Sequence, residues 1–395
     1  MVLEGLIKAK FNFPDEDSTV LEFGVCDGAS YIAMAEHIIL HNPTITLYGF
    51  DSWQGLPDET EGVWKPTRHN PGMFSASKND VLNQLWERGA DNDPRFKLVY
   101  GDLSDSVSID SLVKDIQPDY FINFGAQSFV GCSWEIPLQT FDTNATGVAR
   151  CLEAIRKHKK SCRFYSAGSS EEFGDVQYSP QDINHPVRPR SPYGASKAAA
   201  RHLVKVYRES YNLYAVHGIL FNHEGTKRGE EFVTRKISKG VARIYHAIKN
   251  NQSFSPIELG NLDAQRDWSD SEDFVDGVWK IMNQEKPKDY VLSSNETHTI
   301  REFINKSFLC AGIDGVWHGS GQQEEMSVST EYAIKNEIQS SILVKINPKF
   351  YRPAEVELLL GDSTPARKEL GWNPKISFDN LVERMVKYDI EIFKI

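Results

Sequence analysis

The chain has 395 residues, with 44 Lys and Arg against 55 Asp and Glu, a formal net charge of −11, and 40% hydrophobic content. That balance excludes wholesale disorder and argues against a general binder of nucleic acid or anionic membrane, which needs clustered Lys and Arg. The five cysteines form no CxxC pair, so neither a disulfide framework nor a zinc ribbon is indicated.

In chain order, the N-terminal MVLEGLIKAKFNF is broken by Glu4, Lys8 and Lys10 and does not read as a signal peptide. No stretch is long and apolar enough to cross a bilayer. The expectation is a cytoplasmic enzyme with no membrane partner. Thr19 to Gly24 reads as a strand, Ala29 to Leu40 as an amphipathic helix, and Ile45 to Phe50 as a second strand leading into Asp51. The polar, Gly- and Pro-rich stretch 52–78 is longer than an ordinary connection and reads as an insertion or functional loop. Strands are predicted at Phe96–Tyr100, Tyr120–Asn123, Arg163–Ser166 and Ala215–Phe221, with helices at Ser106–Ile116 and Phe141–His158 between them. Such alternation predicts an α/β fold, a Rossmann-like doubly wound parallel sheet with ligands at the carboxyl ends of its strands. Beyond about Glu224 the rhythm loosens, and prolines at 256, 287, 348, 353 and 374 punctuate shorter elements. The predicted organisation is a nucleotide-binding domain over 1–222 and a smaller C-terminal α/β substrate lobe over 223–395, with a segment near 257–282 returning to the first domain.

Tyr193 and Lys197 stand four apart in YGASK, ahead of the helix-forming AAARHLVKVYRES. That spacing stacks hydroxyl and ammonium on one helix face, and a neighbouring ammonium favours the phenolate needed for acid–base work on a carbinol. Alone, the pair is a weak signal. Upstream, RFYSAGSSEEFG runs a strand into a Ser-rich turn, which places Ser169 and Glu171 at a strand's carboxyl end. Glu172, one residue further, is expected to point elsewhere, into solvent.

Through these segments the chain resembles the extended short-chain dehydrogenase/reductase family, and within it the GDP-mannose 4,6-dehydratases. The resemblance runs from about Phe96 to the C-terminus through YGDLSD, QPDYFINFGAQS, RSPYGASK, GILFNHEGTKRGEEFVTRKI, LGNLDAQRDW and YRPAEVELLLGDSTPARKELGWNP. It implies a catalytic set of Ser169, Glu171, Tyr193 and Lys197, and redox-neutral removal of water from a GDP-sugar. Tyr193 would take the O4 proton, Glu171 the C5 proton, and Ser169 would assist loss of the C6 hydroxyl. It further implies NAD(P) held by Asp102, Leu103, Phe124, Gly125, Ala126, Tyr193, Lys197 and His223. Substrate contacts would come from Asn222, Arg228, Lys236, Arg266, Arg352 and Glu355, the arginines suiting a pyrophosphate. A homodimer or homotetramer is implied as well.

The N-terminus departs from that pattern. Where the family opens with three glycines, this chain has EFGVCDGAS, with Gly24, Gly28 and Ser30 in the turn. Residues from about 20 to 75 are similar instead to SAM-dependent O-methyltransferases of the macrocin type, through LEFGVCDGAS, YGFDSWQGLPDE and GMFSAS. Asp51, ending the second strand, would accept from the free 2′-hydroxyl of NAD and repel the 2′-phosphate of NADP, so NAD is expected to be favoured. His37, His41 and His69 have no metal-binding spacing, and no metal is expected. The alternatives are a SAM-dependent methyltransferase, a nucleotide-sugar epimerase or reductase, and a binding protein without a cofactor.

Overall fold

The computed structural model describes residues 19–23, 45–51, 93–338, 341–351, 356 and 358–393. The chain divides into two compact units. The first comprises Met1–Phe221, Ser271–Leu292 and Asp362–Asn373; the second comprises Asn222–Asp270, Ser293–Gly361 and Pro374–Ile395.

In the first unit the described strands are β1 (Thr19–Phe23), β2 (Thr46–Asp51), β3 (Phe96–Tyr100), β4 (Tyr120–Asn123), β5 (Arg163–Ala167) and β6 (Ala215–Leu220). With the strand Tyr290–Leu292 they make a seven-stranded sheet, in the order Tyr290–Leu292, β6, β5, β4, β1, β2, β3. Every pairing is parallel. The strand order reverses between β1 and β4, the kind of switch point beside which sheets of this class bind ligands at the carboxyl ends of their strands.

The sheet is buried on both faces because its strands alternate apolar residues between two cores. Val20, Tyr120, Ile122, Tyr165 and Val216 pack with Phe274, Trp279 and Trp372 on one side. Leu21, Phe121, Phe164 and Ala215 pack with Ile109, Leu152, Ile155 and Val204 on the other. Those partners come from α1 (Ser106–Ile116), α2 (Gly147–His158) and α3 (Pro192–Tyr211). Asp105 caps α1 by accepting from the Val107 amide at 2.9 Å. The helix predicted to start at Phe141 opens differently: Asp142–Thr146 is a π-helical turn that leads into α2.

The second unit is built on a four-stranded sheet, in the order Gly315–His318, Glu325–Val328, Ile342–Ile346, Ile257–Leu259. Helices Val233–Lys249, Ile300–Cys310 and Phe378–Ile392 contribute Ile237, Val241, Phe303, Phe308 and Val382 to its core. Inside it, Asp389 is fully buried and ion-paired to Arg235 at 2.9 Å, and it accepts from Ser238 at 2.6 Å.

The sequence placed the returning segment near 257–282, and the boundary lies later. Ile257–Leu259 belongs to the second unit's sheet, and Trp268 is part of that unit's core. The return begins at Ser271, where helix Ser271–Met282 buries Phe274, Val275, Val278 and Trp279 against the first sheet. Asp362–Asn373 joins it, anchored by Trp372, whose indole N–H donates to the Asp273 carbonyl at 2.7 Å. The helix at Ala29–Leu40 and the insertion 52–78 lie outside the described residues.

Candidate active site

β5 carries the chain to the carboxyl edge of the sheet and stops at Ala167; Ser169 then caps a single 3₁₀ turn, Ser170–Glu172. The cap is reciprocal. The Ser169 hydroxyl accepts from the Glu171 amide at 3.3 Å, and the Glu172 carboxylate accepts from the Ser169 amide at 2.8 Å. This Ser-x-x-Glu capping box fixes the backbone that bears both Ser169 and Glu171.

α3 starts against that turn. Ser191 caps it by accepting from the Gly194 amide at 2.9 Å, and Pro192 occupies its first position. Tyr193 follows at once, so its placement is set by the cap. A side chain at Gly194 would stand 2.5 Å from the Glu171 carbonyl oxygen. Glycine at 194 is therefore what allows the helix start to seat on the Glu171 turn. Ser169, Glu171, Tyr193 and Lys197 thus come from two abutting elements, β5 with its turn and α3.

Tyr193 and Lys197 are both buried, and the Lys197 ammonium lies 5.9 Å from the centre of the Tyr193 ring. The ammonium donates to the Ala167 carbonyl at 2.8 Å. Burial pushes the Lys197 amine down to about 8, against the opposing charge of Glu172. The rate of any step that needs this ammonium is expected to fall as pH rises through about 8. Stability runs the other way. An amine held below its ordinary 10.5 is charged in both states under pH 8, and burying that charge destabilises the fold there. As pH rises from about 8 to 10.5 the folded state sheds its proton first, and this group's cost is relieved. A kcat profile flat to pH 10 would remove Lys197 from the reacting set.

Sequence reading missed three neighbours. Asn144, on the π-helical turn, accepts from the Gln127 amide at 2.8 Å and donates to Gln127 O and Ser196 Oγ, both at 3.0 Å. It ties the segment after β4 to α3. Glu172, expected in solvent, is fully buried and lies 2.9 Å from Nε2 of His217, which is also fully buried. The correction has a simple cause: the capping box turns the third residue of the turn inward. Its Ser-x-x-Glu signature was readable, and so was the lone His in the apolar AVHGIL of β6.

The cofactor candidates spread along the carboxyl edge of the same sheet. Asp51 ends β2 opposite Tyr100. Asp102 follows β3 and accepts from the Ser104 amide and hydroxyl at 2.8 and 2.7 Å. Leu103 packs into the core, while its carbonyl accepts from Arg150 at 2.8 Å. Phe124, Gly125 and Ala126 follow β4 and are half-buried. Asn123, just before them, is buried with a side-chain oxygen that has no hydrogen-bond partner among the described residues. These features fit a nicotinamide dinucleotide lying across the strand ends. Lys197 keeps two N–H donors beyond the one on Ala167. Gly24, Gly28 and Ser30 lie outside the described residues.

The second unit carries the other candidates. Asn222 and His223 sit on the strand Asn222–Glu224, paired with Trp268 and Ser269. Arg228 is ion-paired to Glu224 at 3.1 Å and lies over the Phe232 ring at 3.5 Å. Lys236 lies over the Phe350 ring at 3.4 Å, and Arg266 is buried opposite His298. Lys236 also lines an open cleft of about 420 Å³ with Lys239, Arg243 and Glu258. Arg352 and Glu355 lie outside the described residues. Among the described residues no group of His, Cys, Asp and Glu is arranged to hold a metal ion. No described helix is long and apolar enough to cross a membrane.

The chain can now be set beside known proteins. Residues 69–385 match the family model described as GDP-mannose 4,6 dehydratase. The GDP-mannose 4,6 dehydratase of Drosophila melanogaster is 43% identical over 302 residues, covering 76% of this chain and 73% of that protein. Among solved structures, the UDP-glucose 4-epimerase of Thermus thermophilus in complex with NAD superposes with a TM-score of 0.67 at 19% identity, over 94% of this chain and 98% of that one. RMD from Pseudomonas aeruginosa, complexed with NADPH, gives a TM-score of 0.61 at 20% identity, over 78% of this chain and 95% of that one. The solved structures share the fold. The methyltransferase-like stretch near 20–75 is described only at β1 and β2, which are ordinary members of the parallel sheet, and the family match covers the long remainder. By that match and that identity, the chain belongs to the GDP-mannose 4,6-dehydratase family.

Proposed function

We propose that the protein converts GDP-mannose to its 4-keto-6-deoxy derivative by removing one water, with no net oxidation. The observation that carries this is the single welded turn that presents Ser169 and Glu171 beside the start of α3 with Tyr193 and Lys197. A hydroxyl, a carboxylate, a phenol and an ammonium are the groups that oxidation at C4 followed by elimination across C5–C6 requires.

A bound nicotinamide would supply the hydride acceptor for C4 and the hydride donor for C6. Tyr193, held as the phenolate by the Lys197 ammonium, takes the O4 proton as C4 is oxidised. The 4-ketone makes the C5 hydrogen acidic, and Glu171 removes it. Ser169 and the protonated Glu171 then steer a proton to the departing C6 hydroxyl, and the proton that Tyr193 took is returned to C5 as C6 is reduced, which restores the phenolate. The family resemblance assigns Asn222, Arg228, Lys236, Arg266, Arg352 and Glu355 to the nucleotide and His223 to the cofactor. Incubation with GDP-mannose deuterated at C4 tests the reading. Product short of one water and carrying deuterium at C6 is expected, and recovery of unchanged substrate with NAD or NADP present would defeat it. SAM-dependent methylation, the other enzyme class in the sequence, would give a product heavier by a methyl group.

NAD is the proposed preference over NADP, supported by the position of Asp51 at the carboxyl end of β2. A carboxylate gains a charge-assisted hydrogen bond from a ribose hydroxyl, about 1.5–3 kcal/mol, and repels a phosphate. NAD is expected to bind on the order of tenfold tighter than NADP, and Asp51→Ala to erase the difference. Equal affinities in the parent protein would show that Asp51 does not select the cofactor. Free thiols at Cys132, Cys151 and Cys162, all buried, support a reducing compartment such as the cytoplasm. Light scattering is expected to report a homodimer or homotetramer.

A further inference from the structure

Beneath the catalytic turn lies a polar cluster that the reaction scheme above does not use. Glu172 and His217 are fully buried, 2.9 Å apart, and the same Glu172 oxygen accepts the Ser169 amide at 2.8 Å. The second Glu172 oxygen, Nδ1 of His217 and the Tyr165 hydroxyl have no hydrogen-bond partner among the described residues. Such a cluster is costly in a core, because each unpaired buried polar atom forfeits its hydration. The chain makes room for it: a side chain at Gly168 would stand 2.2 Å from Nε2 of His217 and 2.8 Å from the Glu172 carboxylate.

We propose that Glu172, braced by His217, is a positioning residue for this active site, aiming Ser169 and Glu171. The inference rests on the reaction read above. Its geometry is direct, since Glu172 grips the amide of Ser169 and stands next to Glu171 in the chain. The groups facing it are His217 from β6, Tyr165 from β5, and Lys197 and Arg201 from α3. Behind His217, the Asp289 carboxylate accepts its main-chain amide at 2.8 Å. Burial pushes the Glu172 carboxyl up, but the His217 charge and hydrogen bond, with the Ser169 amide and Arg201, bring it below its ordinary value. The anion that results opposes the effect of burial on Lys197.

Two readouts on Glu172→Gln decide it. The first needs no turnover: NMR of protein labelled at the lysine ε-carbon, with Lys197 assigned through Lys197→Arg, follows its titration. Removing the anion is expected to move the Lys197 inflection to lower pH. In the second, kcat falls on the order of tenfold with KM within about twofold, and the basic limb of the kcat profile shifts to lower pH with the NMR inflection. A residue that only braced the fold would lower stability and leave both pH midpoints in place. Unmoved midpoints, whatever the change in kcat or stability, overturn the proposal. Should Glu172→Gln not fold, Glu172→Asp replaces it. That variant keeps the charge but loses reach, so the inflection stays and kcat still falls about tenfold, whereas parent kcat overturns the proposal. If the parent protein itself dehydrates nothing, the functional reading fails, and the NMR titration still decides whether Glu172 sets the charge of Lys197.

Discussion

Replacing Tyr193 by Phe is expected to lower kcat/KM by roughly 10³-fold, about 4 kcal/mol of barrier, without disturbing the fold. Only the hydroxyl is deleted. The ring stays at the start of α3, where Ser191 and Pro192 set its position independently of the phenol. Oxidation at C4 comes first, and every later step needs the ketone it makes. With no base for the O4 proton, no ketone forms, no C5 proton becomes acidic, and water is retained. Substrate that has spent time with the variant should therefore recover unexchanged at C5 in deuterated solvent. GDP-mannose should still raise the melting temperature, because binding to the native state stabilises it whether or not turnover follows. Turnover at the parent rate would remove Tyr193 from the mechanism.

The fold was legible in the sequence because a parallel sheet buried on both faces leaves a strong trace. Tyr120-Phe-Ile-Asn123 is buried throughout, and it reads as a short apolar run bounded by turn residues. Tyr193 and Lys197 were legible for a similar reason, since helical spacing alone puts four-apart residues on one face. What resisted was set by contacts distant in sequence. The segment near 257–282 was expected to return whole to the first domain, and nothing local says that Ile257–Leu259 pairs with Ile342–Ile346. The helix Ser271–Met282 rejoins the first sheet because Trp279 and Phe274 find partners in Tyr120 and Trp372.

Glu172 shows how a local rule can be present and still go unused. Exposure is the ordinary state of a glutamate in a turn, and the expectation for Glu172 rested on that alone, without the Ser-x-x-Glu spacing. The spacing was the better guide. It required the Glu172 carboxylate to reach back to the Ser169 amide, and the buried His217 then gave its Oε1 a second donor. Asn144 left a weaker trace, because a π-helical turn is invisible to a 3.6-residue period.

Replacing Glu171 by Gln is expected to stop the reaction one step later than Tyr193→Phe, and that difference in stopping point is its most informative consequence. The turn's bond to the Ser169 hydroxyl runs through the Glu171 amide, and the start of α3 seats against the Glu171 carbonyl; an isosteric side chain leaves both in place. Stability should therefore change little, as for most substitutions that neither open a cavity nor strand a buried polar group. C4 oxidation uses Tyr193 and proceeds. The C5 proton then has no base, so product formation should fall by roughly 10²–10⁴-fold, the range that a positioned acid–base group contributes. The 4-keto hexose accumulates on the protein, up to one equivalent per site. Quenching with borodeuteride would trap it as hexose deuterated at C4 with its 6-hydroxyl intact, whereas Tyr193→Phe would trap none. Solvent deuterium should stay out of C5 in both variants, but only in Glu171→Gln with the ketone present, which separates loss of the base from loss of the acidity. If Glu171→Gln released 4-keto-6-deoxy product at the parent rate, the C5 base would have to be sought elsewhere on the site.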